Sequence, residues 1–395
     1  VSHGRVTRVD ALVVGGGVVG AAAALALGRA GLRTALLEQS QPPPFDPQGE
    51  TDLRVFAVNR ASQRLFERLD VWPEMLVRGV SPYEAMEVWD ARSPGRIRFE
   101  AADVGEPDLG HIIENRVIQS TLWDALDEAG VECLCPATLA HLEILPDAAH
   151  ADLEDGRRVT ASLVVGADGA RSRVRTLVGI GVNSTRYGQR AVVANVTTER
   201  HNEATAWQRF LPTGPLAFLP LADGRSSIVW STDTEDAERL VGLGEDAFRA
   251  ELAAAFEYRL GAVTATGPRA SFPLAGSQAL QYVRSRVALV GDAAHTVHPL
   301  AGQGANLGFA DVTALVRAIG ERPGDPGALR GLRAYERVRR GENWVMMRAM
   351  EGFSALFGSR LSPVEMARGL GLNLVDRLPP VKHGFLRRAL GDLKG

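Results

Sequence analysis

The sequence predicts an α/β protein: a dinucleotide-binding domain that carries an inserted, mostly antiparallel β-sheet and ends in C-terminal helices. Three observations lead there. An apolar strand, Val9 to Val14, runs into Gly15-Gly16-Gly17-Val18-Val19-Gly20 and an alanine-rich helix to about Ala30. A second apolar run, Val287 to Val290, leads into Gly291-Asp292-Ala293-Ala294-His295. Between them, the stretch from Gln189 to Leu274 alternates apolar and polar residues, the period of strands with one buried face.

The first unit has the order a dinucleotide site requires. Gly15 permits a tight turn, Gly17 lets a pyrophosphate approach the backbone, and Gly20 lets helix and strand pack closely, with Val19 in the same binding turn. A second strand, Thr34 to Leu37, ends in Glu38, placed to accept from an adenosine ribose. The uncharged stretch Ala11 to Gly28 is long enough to suggest a membrane span. Its three successive glycines oppose a single helix, and a cleaved leader is excluded because the segment must stay to bind the cofactor.

Further along, Gln41-Pro42-Pro43-Pro44 reads as a loop over the domain junction. Asn115 opens a helix to Ala129. Cys133 and Cys135 alternate on a short strand; without a second ligand pair they read as buried apolar thiols in a reducing cytosol rather than a metal site. A strand at Leu163 to Val165 precedes Gly166-Ala167-Asp168-Gly169-Ala170-Arg171-Ser172, which taken alone is equally a surface turn with a helix cap at Ser172. Ala85–Glu100, Ala191–Val196, Trp207–Leu211, Leu216–Leu219 and Ser226–Ser231 supply one sheet, and a helix from Glu245 to Tyr258 covers a face of it. Asp292 ends a buried strand, where a carboxylate can receive a sugar hydroxyl. The helix from Gly304 to Arg317 then turns a positive N-terminus toward the same place. His295 and His298 are expected to pack or hydrogen-bond locally; no metal is expected. Three helices close the chain: Tyr335–Phe357, Pro363–Arg377 and Val381–Leu393. The last is basic and apolar through Lys382, Phe385, Arg387, Arg388, Leu390 and Lys394, a pattern for a membrane surface, for a partner or, more commonly, for packing on its own domain.

With 395 residues the chain has room for about two or three domains, and its net charge of −3 offers no basic field for nucleic acid.

The glycine turn, the Gly166–Arg175 segment and the Gly291–Asn306 segment, in that order, resemble the single-component flavoprotein aromatic hydroxylases. The stretches Asp52-Leu53-Arg54-Val55-Phe56-Ala57-Val58, Ile113-Glu114-Asn115-Arg116-Val117-Ile118-Gln119, His295 to Gly308, Leu374 to Lys382 and Ala389-Leu390-Gly391 resemble the ubiquinone-biosynthesis hydroxylases among them. The resemblance implies a Rossmann-like FAD-binding domain from 1–80, 111–185 and 276–340, a substrate sheet from 81–110 and 186–275, and a helical region over 341–395. It implies FAD, a transient NADPH or NADH, and O2. Gly15, Gly17, Val19, Gly20 and Glu38 then hold the ADP half, and Arg54 reaches the pyrophosphate. Asn115 and Asp168 lie near the cofactor, and Asp292 takes ribitol or a pyrophosphate-linked oxygen. Pro299, Gly302, Gln303, Gly304, Ala305 and Asn306 present amides to the isoalloxazine, where a helix N-terminus favours negative charge on reduced flavin.

The implied reaction passes through a flavin C4a-hydroperoxide to hydroxylate a polyprenylated phenol, with the ring lying between sheet and flavin; Phe218, Pro220 and Trp230 are candidate walls, although a strand Phe or Trp is more often plain core. No catalytic base is identifiable. A cytoplasmic enzyme with peripheral membrane or quinone-complex contact is expected, and a homo-oligomer is compatible. Alternatives are an FAD hydroxylase of another phenol or polyketide, a polyprenyl reductase, or a non-catalytic flavoprotein subunit of a quinone-making complex. The absence of a W-x-W pair opposes a halogenase.

Overall fold

The computed structural model describes residues 6–297, 304–321, 324–358 and 362–391. The chain begins β1 (Val6–Val14), α1 (Val18–Arg29), β2 (Thr34–Leu37), β3 (Val55–Val58), α2 (Arg60–Arg68), α3 (Trp72–Gly79), β4 (Ser81–Tyr83), β5 (Ala85–Asp90), β6 (Arg96–Glu100), β7 (Gly110–Glu114) and α4 (Asn115–Asp124). It continues β8 (Glu132–Leu134), β9 (Leu139–Ile144), β10 (Ala149–Leu153), β11 (Arg158–Gly166), α5 (Arg173–Leu177), β12 (Val182–Thr198), β13 (Thr205–Leu211), β14 (Gly214–Pro220), β15 (Ser226–Asp233), α6 (Thr234–Gly242) and α7 (Glu245–Ala255). It ends β16 (Val263–Ala279), β17 (Val283–Arg284), β18 (Val287–Leu289), β19 (His295–Thr296), α8 (Gly304–Gly320), α9 (Leu329–Gly358), α10 (Ser362–Asp376) and α11 (Pro379–Ala389).

The first sheet has the path β17-β18-β11-β1-β2-β8. Its β18, β11, β1, β2 and β8 pairings are parallel, and register aligns their ends: Val14 pairs with Gly166 and Leu37, and Gly166 pairs with Leu289. The four segments that follow these strands, at Gly15, Glu38, Ala167 and Val290, therefore emerge along one edge. Binding at the carboxyl edge is the general consequence of such a sheet. The alanines of α1 are buried and let the helix lie close against the strands.

The second sheet runs β19-β16-β12-β15-β14-β13-β5-β6 and is antiparallel except where β13 meets β5. One face is covered by α6 and α7 through Trp89, Phe218, Trp230, Phe248 and Phe256. The other face presents Ala206, Ala217 and Leu219 toward Ala57 and Ile112. The candidate walls Phe218 and Trp230 therefore belong to the helix-covered core, and Pro220 shares the strand phase of Phe218. Period two places Ala217 and Leu219, not their neighbours, on the side of the nucleotide-binding unit. A third sheet, β3-β7-β4, lies beside this face.

Strands β12 and β16 run unbroken through positions 185 and 276, where the sequence places the passage between units. Helix α7 stops before Tyr258 because Glu257 and Tyr258 take φ of 56° and 52°. Cys133 is exposed and Cys135 half-buried, so the expected burial of both thiols does not hold; β8 is a short edge strand. Leu386 of α11 and Leu390 just beyond it are buried against Ala101 and Leu109, and Lys382 Nζ lies 3.1 Å from Asp103 and 3.5 Å from Asp376. The described part of the basic tail thus packs on its own protein. Leu393 and Lys394 lie outside the described residues. Among those described, no helix is long and apolar enough to cross a membrane.

Candidate cofactor and substrate site

At the edge of the first sheet the glycines divide into two kinds. Gly15 has φ +105°, and a Cβ added there would lie 2.5 Å from the Ala167 carbonyl oxygen. One added at Gly20 would lie 1.8 Å from the Gly15 carbonyl oxygen. These two are bare so that the protein can touch itself. At Gly17 and Gly304 an added Cβ meets nothing within 4 Å, so these face open space. The Gly16 N–H donates to Glu38 Oε2 at 2.5 Å, and the other carboxylate oxygen accepts from Gln39 and Ser40. From α4, Trp123 Nε1 and Gln119 Nε2 donate to the Gly16 carbonyl at 2.8 and 3.1 Å. Sequence reasoning missed both. Their only signal is i,i+4 spacing on a helix whose neighbour the sequence does not disclose.

Asp292 is half-buried beyond β18. Burial pushes its carboxyl up, while the charges of His295 and Arg54 pull it back. Arg54 is exposed, sits 5.1 Å over the Phe56 ring, and has no ion pair among the described residues. Its carbonyl accepts from the Asn115 N–H at 2.9 Å, which brings these two expected residues together. Asp168 Oδ2 accepts from Arg173 N and Val174 N at 2.7 and 3.0 Å, so it anchors α5 beside the Ser172 cap. Its Oδ1 is buried and unpartnered.

Val19 fills the seam under Gly308, whose added Cβ would lie 2.6 Å from it, so its side chain packs α1 against α8. The Asn306 side chain staples α8 to its neighbours: Oδ1 accepts from Asn59 N and Ser62 Oγ, and Nδ2 donates to the Ala57 carbonyl at 2.7 Å. Ala305 is half-buried in the first turn of α8. Pro299, Gly302, Gln303 and His298 lie outside the described residues.

Beneath the Asp292 turn lies a buried network. Asp311 Oδ2 accepts from Gly291 N at 3.0 Å and lies 2.5 Å from His295 Nε2. Its Oδ1 accepts from Arg339 Nε at 2.7 Å, and Arg339 also donates to Asn343 at 2.8 Å. Burial alone would raise the Asp311 carboxyl; His295 and Arg339 outweigh it and hold it below the usual range. The network ties the cofactor edge to α9.

A cavity of about 1510 Å³ begins at Ala57, Asn59 and Asn306 and runs between the hollow face of the second sheet and helices α8 to α11. Its lining is mostly apolar, with Leu219, Phe210 and Leu372 among its walls. At the far end Arg368 of α10 is buried against Asp90 of β5, Nε to Oδ2 2.9 Å, which latches the C-terminal helices onto the sheet.

These features suit an FAD. The open space at Gly17 admits a pyrophosphate, the half-buried carboxylate of Asp292 can accept from a hydroxyl, and Asn306 in the first turn of α8 lines the inner end of the cavity. Comparison with known proteins agrees. Residues 8–350 match a family model described as an FAD binding domain. The 3-demethoxyubiquinol 3-hydroxylase of Escherichia coli K12 is 39% identical over 386 residues, covering 96% of this chain and 97% of that protein. The mitochondrial ubiquinone biosynthesis monooxygenase COQ6 of Xenopus tropicalis is 35% identical, covering 95% and 92%. Among solved structures, PqsL of Pseudomonas aeruginosa in complex with 2-aminobenzoylacetate has a TM-score of 0.77 at 25% identity, over 93% of this chain and all (100%) of that one. The p-nitrophenol 4-monooxygenase PnpA of Pseudomonas putida, at 17% identity and TM-score 0.78 over 98% and 100%, shares the fold.

Proposed function

The chain belongs to the FAD-dependent ubiquinone-biosynthesis hydroxylases, and from that premise we propose that it hydroxylates the aromatic ring of a polyprenylated phenol, consuming NAD(P)H and O2. The observation that carries the substrate class is the cavity. At about 1510 Å³ it exceeds the range of about 300–1,000 Å³ usual for small-molecule sites, and it continues as an apolar channel far from the cofactor edge. A single hydrophilic ring needs neither the volume nor the lining.

In this reading the glycine turn and Glu38 hold the ADP half, Arg54 and Asp292 the centre, and the amides opening α8 the flavin ring. When bound, FAD supplies the redox chemistry that takes a hydride from NAD(P)H and delivers one atom of O2, the other leaving as water. The chain's own residues seat the ring at the Ala57–Asn306 end, exclude water with apolar walls, and thread the prenyl tail under the C-terminal helices. A tail that costs about 0.8 kcal/mol per exposed CH2 does not cross water freely, so the same reading has the enzyme meet its substrate at a membrane or within a quinone-making complex.

The test is product analysis on the FAD-loaded protein with a long-chain prenylphenol, a short-chain analogue and a hydrophilic phenol. NAD(P)H oxidation coupled to ring hydroxylation is expected for the prenylphenols, with the lowest KM for the long chain. Coupled turnover of the hydrophilic phenol alone would overturn the substrate assignment.

A further inference from the structure

The substrate cavity has an open side, and its rim has its own chemistry. Val338, Val345 and Phe353 of α9 line the cavity yet remain 53%, 43% and 41% exposed. On α10, Val364 and Val375 line the cavity while Met366, Leu370 and Leu374 are 64%, 65% and 58% exposed. These last three recur every fourth residue and form one stripe. Large apolar side chains are thus left in water on both helices that flank the opening, a grouping that marks an interaction surface.

Beside this apolar rim runs a basic one. Arg333, Arg337, Arg340, Trp344 and Arg348 recur at three- and four-residue spacing along α9, and all are exposed. At 1.5 Å per residue the stripe is roughly 22 Å long. Arg333, Arg337 and Arg340 have no acidic partner among the described residues. The acids nearby are engaged: Glu336 accepts from the Tyr282 N–H at 2.7 Å, Glu342 pairs with Arg339, and Glu351 lies 2.8 Å from Arg348. Arg348 also lies over the Trp344 ring at 5.7 Å. Exposed Arg68 of α2 lines the cavity. The whole chain carries a net charge of −3, so this positive stripe is a local concentration rather than a general excess.

We propose that the α9–α10 rim docks on an anionic phospholipid bilayer. Two features favour that occupant over an acidic protein. The unpaired arginines complement a surface of anionic headgroups, with Trp344 at interfacial depth. The apolar stripe is continuous with the mouth of an apolar cavity, so a fluid acyl layer against it gives a lipophilic substrate a path that never crosses water. The docking stands on the rim itself; only what enters through it rests on the prenylphenol reading.

The test is flotation of the FAD-loaded protein with vesicles of phosphatidylcholine alone and of phosphatidylcholine mixed with phosphatidylglycerol. Binding is expected only to the mixed vesicles, and salt should weaken it. The triple variant Arg333→Glu, Arg337→Glu, Arg340→Glu should bind them at least about tenfold more weakly, with unchanged FAD content and unchanged turnover of a short-chain analogue. Met366→Ser with Leu370→Ser should also weaken binding, without removing its salt dependence. Equal binding to neutral vesicles, no binding at all, or a triple variant that binds like the parent would overturn the proposal. So would a stoichiometric protein partner that covers the stripe while vesicles are ignored. Vesicle binding without hydroxylation of prenylphenols would overturn the reaction assignment and leave the docking intact.

Discussion

The two faces of the second sheet are built from the same strands and behave as opposites. Toward α6 and α7 the residues are large: Trp89, Phe218 and Trp230 meet Phe248 and Phe256, and the Phe218 and Phe256 rings stack at 3.9 Å. Toward the nucleotide-binding unit the next residues along are Ala206, Ala217 and Leu219, and a cavity of about 1510 Å³ remains. Strand alternation assigns each residue to a face, and side-chain volume then decides whether the face is closed or hollow. The same division recurs on a smaller scale at the glycine turn, where Gly20 is packed and Gly17 faces space. The filled places hold the fold together, and the hollow ones are where ligands go.

The largest effect should come from breaking the filled face. Phe218→Ala removes a ring that is 1% exposed and should cost about 3–5 kcal/mol, measured by urea denaturation of the apoprotein. A loss under about 1 kcal/mol would mean that this face is not close-packed.

Two acids at the cofactor edge, half-buried Asp292 and buried Asp311, sharpen the contrast. Asp292 is raised by burial, so its favourable contribution to the apo fold is present in acid and lost as pH rises through its folded value. Asp292→Asn should therefore leave the apoprotein at least as stable at neutral pH. It should weaken FAD binding about ten- to a hundredfold, the worth of a charged hydrogen bond of about 1.5–3 kcal/mol. Asp311 is lowered, so its contribution is present above the ordinary carboxylate range and lost as pH falls through its folded value. Asp311→Asn should destabilise the apoprotein at neutral pH and flatten its acid limb. Thermal melts across pH, with and without FAD, separate the two. The opposite pattern would exchange their roles.

The smallest stability effect belongs to the hollow face. Ala217→Leu adds volume where there is room, and should shift stability by less than about 1 kcal/mol while raising KM for a long-chain substrate more than for a short one. Equal KM for both would mean that the tail does not lie along β14.

What the sequence disclosed was local. Strand, glycine turn, helix and trailing Glu38 are contiguous, and the β18–Asp292–α8 segment is nearly so; both could be placed from their own residues. The phase of β14 could not. Both of its faces are apolar, so alternation shows two faces without saying which one is hollow, and of the two readings open for Phe218, cavity wall or plain core, the packing against Phe256 selects the core. The cavity joins Ala57, Leu219 and Leu372, residues from three distant parts of the chain, and no spacing rule connects them. The Asp311–Arg339 contact spans two helices that read simply as amphipathic. The tail pattern at Lys382–Leu390 is the same whether it faces lipid or protein, and only the neighbouring Asp103 and Leu109 decide it.

The arrangement of Arg339, Asp311 and Gly291 also bears on how the molecule is born. A ribosome delivers the glycine turn first, yet β18 can join β11 only after the second sheet has emerged as far as β16, since Val164 pairs with Val287. The Gly291 amide then waits for Asp311, and Asp311 waits for Arg339. The network beneath the Asp292 turn is therefore completed only once α9 has left the exit tunnel. A nascent chain that stops short of Arg339 leaves the buried Asp311 with His295 and the Gly291 amide but without its guanidinium partner, a less complete satisfaction of a buried carboxylate.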